Sequence, residues 1–148
     1  MKKTIACISG PNLNLLGRRN KNIYGEKTLK EIEKMVRVQA AKNGFKTIFF
    51  QSNHEGALID FIQKKTPTIS GILINAGALS HYGYSLRDAL IDSNLPIVSV
   101  HLSDINKRES FRRKDINKDI SIKVISGYKE KSYIIGLKIL INHLCKKI

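Results

Sequence analysis

Tryptophan is absent from the chain, cysteine occurs twice, proline three times, and acidic residues number 12 against 26 basic ones. Each shortage excludes something. Two cysteines, Cys7 and Cys145, cannot build a disulfide framework or a four-thiolate zinc site, and so thin a supply fits a reducing compartment. No Pro-rich stretch, repeat or low-complexity segment divides the 148 residues, a length that suits one domain over 1–148. No apolar run approaches the ~18 residues that cross a bilayer. The start, Met1-Lys2-Lys3 and then Thr4–Ile8, is briefly leader-like, but its apolar run ends at Ser9-Gly10-Pro11-Asn12, shorter than a signal-peptide core. A buried first strand, a cytoplasmic address and no membrane partner are the expectations.

Familiar chemical motifs are missing too. There is no G-x-x-x-x-G-K-[ST] phosphate loop, no G-x-G-x-x-G, no G-x-S-x-G elbow and no H-E-x-x-H. Four histidines (54, 81, 101, 143) have no helical pairing, so neither a metal nor a cofactor is expected.

What the chain does have is positive charge, a net +14. A field of that sign concentrates anions and speeds their arrival. The cations are scattered, at Lys2-Lys3, Lys64-Lys65, Arg112 to Lys114 and Lys146-Lys147, with little aromatic interleaving. That distribution argues against a dedicated nucleic-acid surface. The charge itself does not say whether the anion is a nucleic acid, a membrane or a small carboxylate.

Short apolar runs alternate with longer amphipathic ones. The pattern predicts strands over Thr4–Ser9, Phe45–Gln51, Gly71–Asn75, Pro96–Leu102 and Ile120–Ser126. Helices are expected over Thr28–Asn43 ending at Gly44, from a Ser52-x-x-Glu55 capping box through Lys65, over Tyr82–Ser93, and near Lys131–Leu144. Strands alternating with helices indicate a parallel sheet covered on both faces. The expected architecture is α/β, a flavodoxin-like three-layer sandwich with a five-stranded parallel sheet.

In open α/β sheets ligands bind beyond the carboxyl ends of the strands. The candidate segments are therefore Gly10–Asn14, Gln51–Glu55, Asn75–His81 and His101–Ser103, which together carry Asn, His and Gly out of proportion to the rest. The stretch from Gly10 to Lys27 exceeds the 2–6 residues of a usual βα connection, so a functional loop is expected there.

Individual residues allow two readings each. A free phenol ionises near pH 10, and a guanidinium against its oxygen favours the anion, which would make Tyr24 a base. Spacing alone favours a tyrosine that packs the loop, with Arg18 and Arg19 in water. His101 ends the fourth strand, as a proton donor or as a satisfied strand-end histidine. Backbone N–H groups of Leu102 and Ser103 can hold a carboxylate, and Asn75 can serve loop backbone or a polar ligand. His81 and Asp88, seven residues apart, are expected on one face of the third helix. Arg112 sits in a basic run with Arg108, Arg113 and Lys114 that reads as solvated. His54 reads as part of a helix cap.

Taken together, four blocks resemble the type II 3-dehydroquinate dehydratases. They are Gly10-Pro11-Asn12-Leu13-Asn14-Leu15-Leu16-Gly17-Arg18-Arg19 with Tyr24-Gly25, then Gln51-Ser52-Asn53-His54-Glu55-Gly56. Next come Asn75-Ala76-Gly77-Ala78 with His81 and Arg87-Asp88-Ala89-Leu90, and Val100-His101-Leu102-Ser103 with Arg108 and Arg112. The resemblance spans nearly the whole chain. It implies a cofactor-free hydro-lyase that converts 3-dehydroquinate to 3-dehydroshikimate through an enolate, in the shikimate route or in quinate breakdown. It also implies a homododecamer of four trimers.

By position, the resemblance makes Tyr24 the base at C2, with Arg19 stabilising its anion and the transition state. Asn12 would support the enolate and His101 would protonate the departing C1 hydroxyl. Asn75 with the Leu102 and Ser103 backbone would hold the carboxylate. His81, Arg112 and Asp88 would fix ring hydroxyls, with Asp88 reaching in from a neighbouring subunit. Three departures stand out: Ser99 replaces a family glutamate two residues before the histidine, Ala76 replaces a frequent proline, and Asn20–Ile23 differs from the common loop. Ser99 brings no charge, so His101 is expected to lack its carboxylate partner.

Overall fold

The computed structural model describes residues 3–146. Five strands, β1 (Thr4–Ser9), β2 (Lys46–Gln51), β3 (Gly71–Asn75), β4 (Ile97–His101) and β5 (Lys123–Ser126), form one parallel sheet in the order β2-β1-β3-β4-β5. The fold is α/β and flavodoxin-like: the strand order is the doubly wound one whose connections reverse direction between β1 and β3. Helices are α1 (Lys21–Tyr24), α2 (Leu29–Ala41), α3 (Glu55–Lys65), α4 (Leu79–Tyr82), α5 (Tyr84–Asp92) and α6 (Lys131–Lys146). Among the described residues no helix is long and apolar enough to cross a membrane.

Strand alternation sorts the core into two layers. Ile5, Cys7, Leu73, Val98 and Val100 face α2 and α6, where they pack with Ile32, Val36, Leu137 and Leu140. Ala6, Ile8, Ile72, Ile74 and Ile97 face α3 and α5, packing with Leu58, Ile62, Leu86 and Leu90. β3 and β4 are buried throughout, as their unbroken apolar runs predict for strands covered on both sides.

Three local expectations change. The capping box forms one helix earlier: Thr28 accepts from the Glu31 N–H at 3.3 Å, and Glu31 accepts from the Thr28 N–H at 2.7 Å. At Ser52-x-x-Glu55 no box forms. Ser52 accepts from the His54 N–H at 3.0 Å instead, and Glu55 reaches across to the Leu86 N–H at 3.0 Å, tying α3 to the start of α5. His54 occupies the N-cap position without capping through its side chain.

The third predicted helix is two. Gly83 (φ −77°, ψ 69°) breaks it, and a Cβ there would stand 2.8 Å from the Leu79 carbonyl oxygen. His81 thus belongs to α4 and Asp88 to α5, and they do not share a face of one continuous helix. Residues 120–122 turn rather than extend, although the Ile122 N–H still bonds the Ile97 carbonyl at 2.8 Å.

α6 lies close on the sheet because Gly136 has no side chain. A Cβ there would meet Val100 Cγ1 at 2.5 Å and Leu73 Cδ1 at 3.1 Å. Helix propensity alone favours alanine at an interior position by about 1 kcal/mol. Overpacking of this kind costs about 1–3 kcal/mol, so Gly136→Ala is expected to be net destabilising in urea unfolding. A gain in stability would show that the sheet yields freely beneath α6.

Candidate active site

The carboxyl ends of β1, β3 and β4 open into one cleft. Pro11, Asn12 and Leu13 follow β1; Asn75, Gly77, Ala78 and His81 follow β3; His101, Leu102, Ser103, Ile105, Arg108 and Arg112 follow β4. Arg19 and Tyr24 close it from the long loop after β1, which contains a 3₁₀ turn at Leu13–Leu15 and the single turn of α1.

Backbone forms the floor of the cleft. The Gly10 N–H bonds the Asn75 carbonyl at 2.8 Å, and a Cβ on Gly10 would stand only 2.2 Å from the Ala76 oxygen. Asn12 takes a left-handed conformation (φ 67°), which asparagine tolerates, and its N–H donates to Asn53 Oδ1 at 2.9 Å. Gln51 donates to the Gly10 carbonyl and to Asn53 Oδ1, both at 3.2 Å, so the loop after β2 braces the loop after β1. Asn75 Oδ1 accepts from the Gly77 N–H at 3.1 Å, which orients its amide; Asn75 both serves loop backbone and lines the cleft.

The phenol of Tyr24 is half-buried, and cations converge on its oxygen. Arg19 Nη2 donates to Tyr24 Oη at 2.9 Å, with its guanidinium carbon 3.9 Å from the ring centroid. Arg108 adds Nη1 and Nη2, each 3.3 Å from the same oxygen. The reading of Tyr24 as a packed tyrosine beneath a solvated Arg19 is thereby set aside. Arg108 and Arg112 also leave the solvated basic run proposed for them: both line the cleft, and Glu109 bridges them at 3.3 and 3.2 Å. The lining holds three arginines and no acidic residue. Such a cleft suits an anion.

These sequence and structural features coincide with those of a known family. Residues 3–141 match the family model described as Dehydroquinase class II. The chain belongs to this family. It is 49% identical over 140 residues to the 3-dehydroquinate dehydratase of Prochlorococcus marinus subsp. pastoris, covering 95% of this chain and 96% of that one. It is 44% identical to the 3-dehydroquinate dehydratase of Halothermothrix orenii, over 96% of each chain. The crystal structure of a type II dehydroquinase from Butyrivibrio crossotus superposes with a TM-score of 0.89 at 40% identity, covering 93% of this chain and 96% of that one.

In this dehydroquinase, nine of the ten residues proposed from the sequence line the cleft: Asn12, Arg19, Tyr24, Asn75, His81, His101, Leu102, Ser103 and Arg112. Asp88 does not. It is exposed on α5, outside the lining of its own chain's cleft. His81 Nδ1 donates to the Lys114 carbonyl at 2.7 Å; a carbonyl only accepts, so the proton sits on Nδ1.

Two residues of the site escaped sequence reasoning. Arg108 was placed in a basic run whose members look alike until the chain folds. The second is Asp115, which corrects the expectation that His101 lacks a carboxylate. Its Oδ2 lies 2.7 Å from His101 Nε2 and accepts from Ser99 Oγ at 2.7 Å, while its Oδ1 accepts from the Asn117 N–H at 2.8 Å. The only signal in the sequence was an aspartate close behind Arg112-Arg113-Lys114.

Burial pushes the Asp115 carboxyl up, but bonds from His101, Ser99 and the Asn117 N–H outweigh it and hold the group below the ordinary carboxylate value. A carboxyl lowered in this way stabilises the fold above its unfolded-state value, near pH 4, and loses that contribution as pH falls through the folded value. Asp115→Asn is therefore expected to flatten the acid limb of stability below about pH 4, read from urea midpoints at a series of pH values. An unchanged limb would show that the carboxylate adds nothing to folding.

Proposed function

We infer that this protein is a type II 3-dehydroquinate dehydratase, a hydro-lyase that eliminates water from 3-dehydroquinate to give 3-dehydroshikimate. The family match and the relatives of the same name support the reaction. The observation that carries the mechanism is the triple contact of Arg19 and Arg108 on Tyr24 Oη, in the same cleft as His101.

Tyr24 acts as the base. Two guanidiniums donating to one phenolic oxygen stabilise negative charge on it, so the tyrosinate can remove the C2 proton next to the ketone. Charge then passes to the ketone oxygen as an enolate. Asn12 supports that oxygen through water, and Arg19 stabilises the transition state by its nearby positive charge.

Hydroxide is a poor leaving group, so the C1 oxygen must receive a proton as its bond breaks. His101 supplies it. Base and acid come from different elements, the loop after β1 and the end of β4. Asn75 and the backbone N–H groups of Leu102 and Ser103 hold the carboxylate; His81 and Arg112 hold ring hydroxyls.

Asp88 completes the site from a neighbouring subunit of a dodecamer built as four trimers. Its exposure on α5 supports that reading, as do the exposed rings of Tyr82 and Tyr84 nearby in the chain.

Supplying 3-dehydroquinate should generate the ultraviolet absorbance of a conjugated enone; silence at every pH from about 6 to 10, the span around the reference histidine and tyrosine values, would overturn the assignment. Tyr24→Phe is expected to bind substrate yet lose about 10²–10⁴ in kcat; near-normal turnover would remove Tyr24 from its role. Light scattering should give twelve chain masses. A fully active monomer would sink the cross-subunit role of Asp88.

A further inference from the structure

Position 99 holds serine where the family pattern holds glutamate, and alternation along β4 puts residues 99 and 101 on one face of the sheet. A carboxylate nevertheless occupies the space beside the imidazole, brought from sixteen residues further along the chain. We propose that Asp115 is the positioning residue for His101, taking over the task of the family glutamate, while Ser99 has become the hydroxyl that aims the relocated carboxylate. The proposal rests on the reading of His101 as the proton donor.

The geometry is that of an orienting pair. One oxygen, Oδ2, meets both Ser99 Oγ and His101 Nε2 at 2.7 Å, so the hydroxyl sets the direction from which the ring must be approached. A carboxylate only accepts, so Nε2 carries a proton and Nδ1 is the nitrogen left for exchange with substrate. All three residues are buried, with exposures of 0% for Ser99, 5% for His101 and 7% for Asp115. Water therefore competes little for these bonds.

The segment that carries Asp115 is pinned on both sides. The Ile116 N–H donates to the Ser80 carbonyl at 2.8 Å, and His81 donates to the Lys114 carbonyl at 2.7 Å. Arg87 donates to the Ile116 carbonyl and grips Asp119 through two bonds of 2.6 and 2.8 Å. An aspartate held on either flank cannot swing away from the ring.

Electrostatics supplies the reason for keeping a carboxylate here. A proton donor at His101 must pass through the imidazolium, and the cleft already holds Arg19, Arg108 and Arg112 with no acid in its lining. A buried anion on the far side of the ring offsets that repulsion and fixes which nitrogen faces the substrate. Ser99 Oγ meets the same Asp115 oxygen that holds the ring nitrogen, so a carboxylate at 99 would face the one at 115. Two would repel each other.

The test exchanges the two positions. Asp115→Asn is expected to lower kcat about 10–100-fold, within the range that a proton donor contributes, with KM nearly unchanged. Ser99→Glu alone should also lower kcat, because it crowds two carboxylates together. Ser99→Glu combined with Asp115→Ser should recover most of the loss seen in Asp115→Ser. Solid-state spectra of ¹⁵N-histidine-labelled protein, assigned by difference with His101→Ala, should show the Nε2–H tautomer in the native chain and a mixture in Asp115→Asn.

Wild-type kcat in Asp115→Asn, a gain from Ser99→Glu alone, or an unaltered tautomer would each overturn the proposal. If Asp115→Asn fails to fold by circular dichroism, the exchange variant decides: folded but no faster than Asp115→Ser, it overturns the proposal. An active His101→Ala variant would instead refute the proton-donor reading beneath it. An inactive one beside a fully active Asp115→Asn refutes the positioning role alone.

Discussion

Because the five strands are parallel, each releases the chain at the same edge of the sheet, and the connections leaving β1 and β3 turn to opposite faces. A crevice opens where they part. Its floor is as tight as backbone allows, since Gly10 touches the Ala76 carbonyl with no space for a side chain. Every reacting group proposed for this dehydratase hangs from that edge or from the loop that folds back over it. The register of β1 against β3, with Ser9 opposite Asn75, sets the spacing between the loop that carries Tyr24 and the loop that carries His81.

Charge is the second constraint. Three guanidiniums in one cleft repel one another, yet the arrangement holds because each has something to lean on. Arg19 and Arg108 share the phenolic oxygen and the face of Tyr24. Glu109 bridges Arg108 and Arg112 from outside. Asp115 lies behind His101 and not in the lining. The acids thus sit one layer back, where they restrain the cations without opposing an anionic substrate. A compact positive cleft attracts a carboxylate more effectively than the same charges scattered over the surface.

Much of this was legible in the residues. Continuous apolar runs marked β3 and β4 as central strands, and Asn, His and Gly concentrated at strand ends marked the binding edge. The misses share a cause. Ser52-x-x-Glu55 and Thr28-x-x-Glu31 have the same pattern, but Glu55 found a better partner in the Leu86 N–H across the interface. Tyr82–Ser93 has helical periodicity throughout, but Gly83 ends one turn there and starts another. In each case a contact distant in sequence, or a glycine conformation, overrode a local signal.

Local order was enough to establish the fold class and the edge of the sheet where a ligand binds, because periodicity and turn chemistry act over a few positions; Tyr24, Arg19 and Arg112 stood out within that edge only through the family resemblance. Local order could not show that Arg108 leaves solvent for Tyr24, nor that the carboxylate absent at position 99 returns at 115. Those outcomes depend on distances between segments 14 to 84 residues apart, and only packing two helical layers onto one twisted sheet sets such distances.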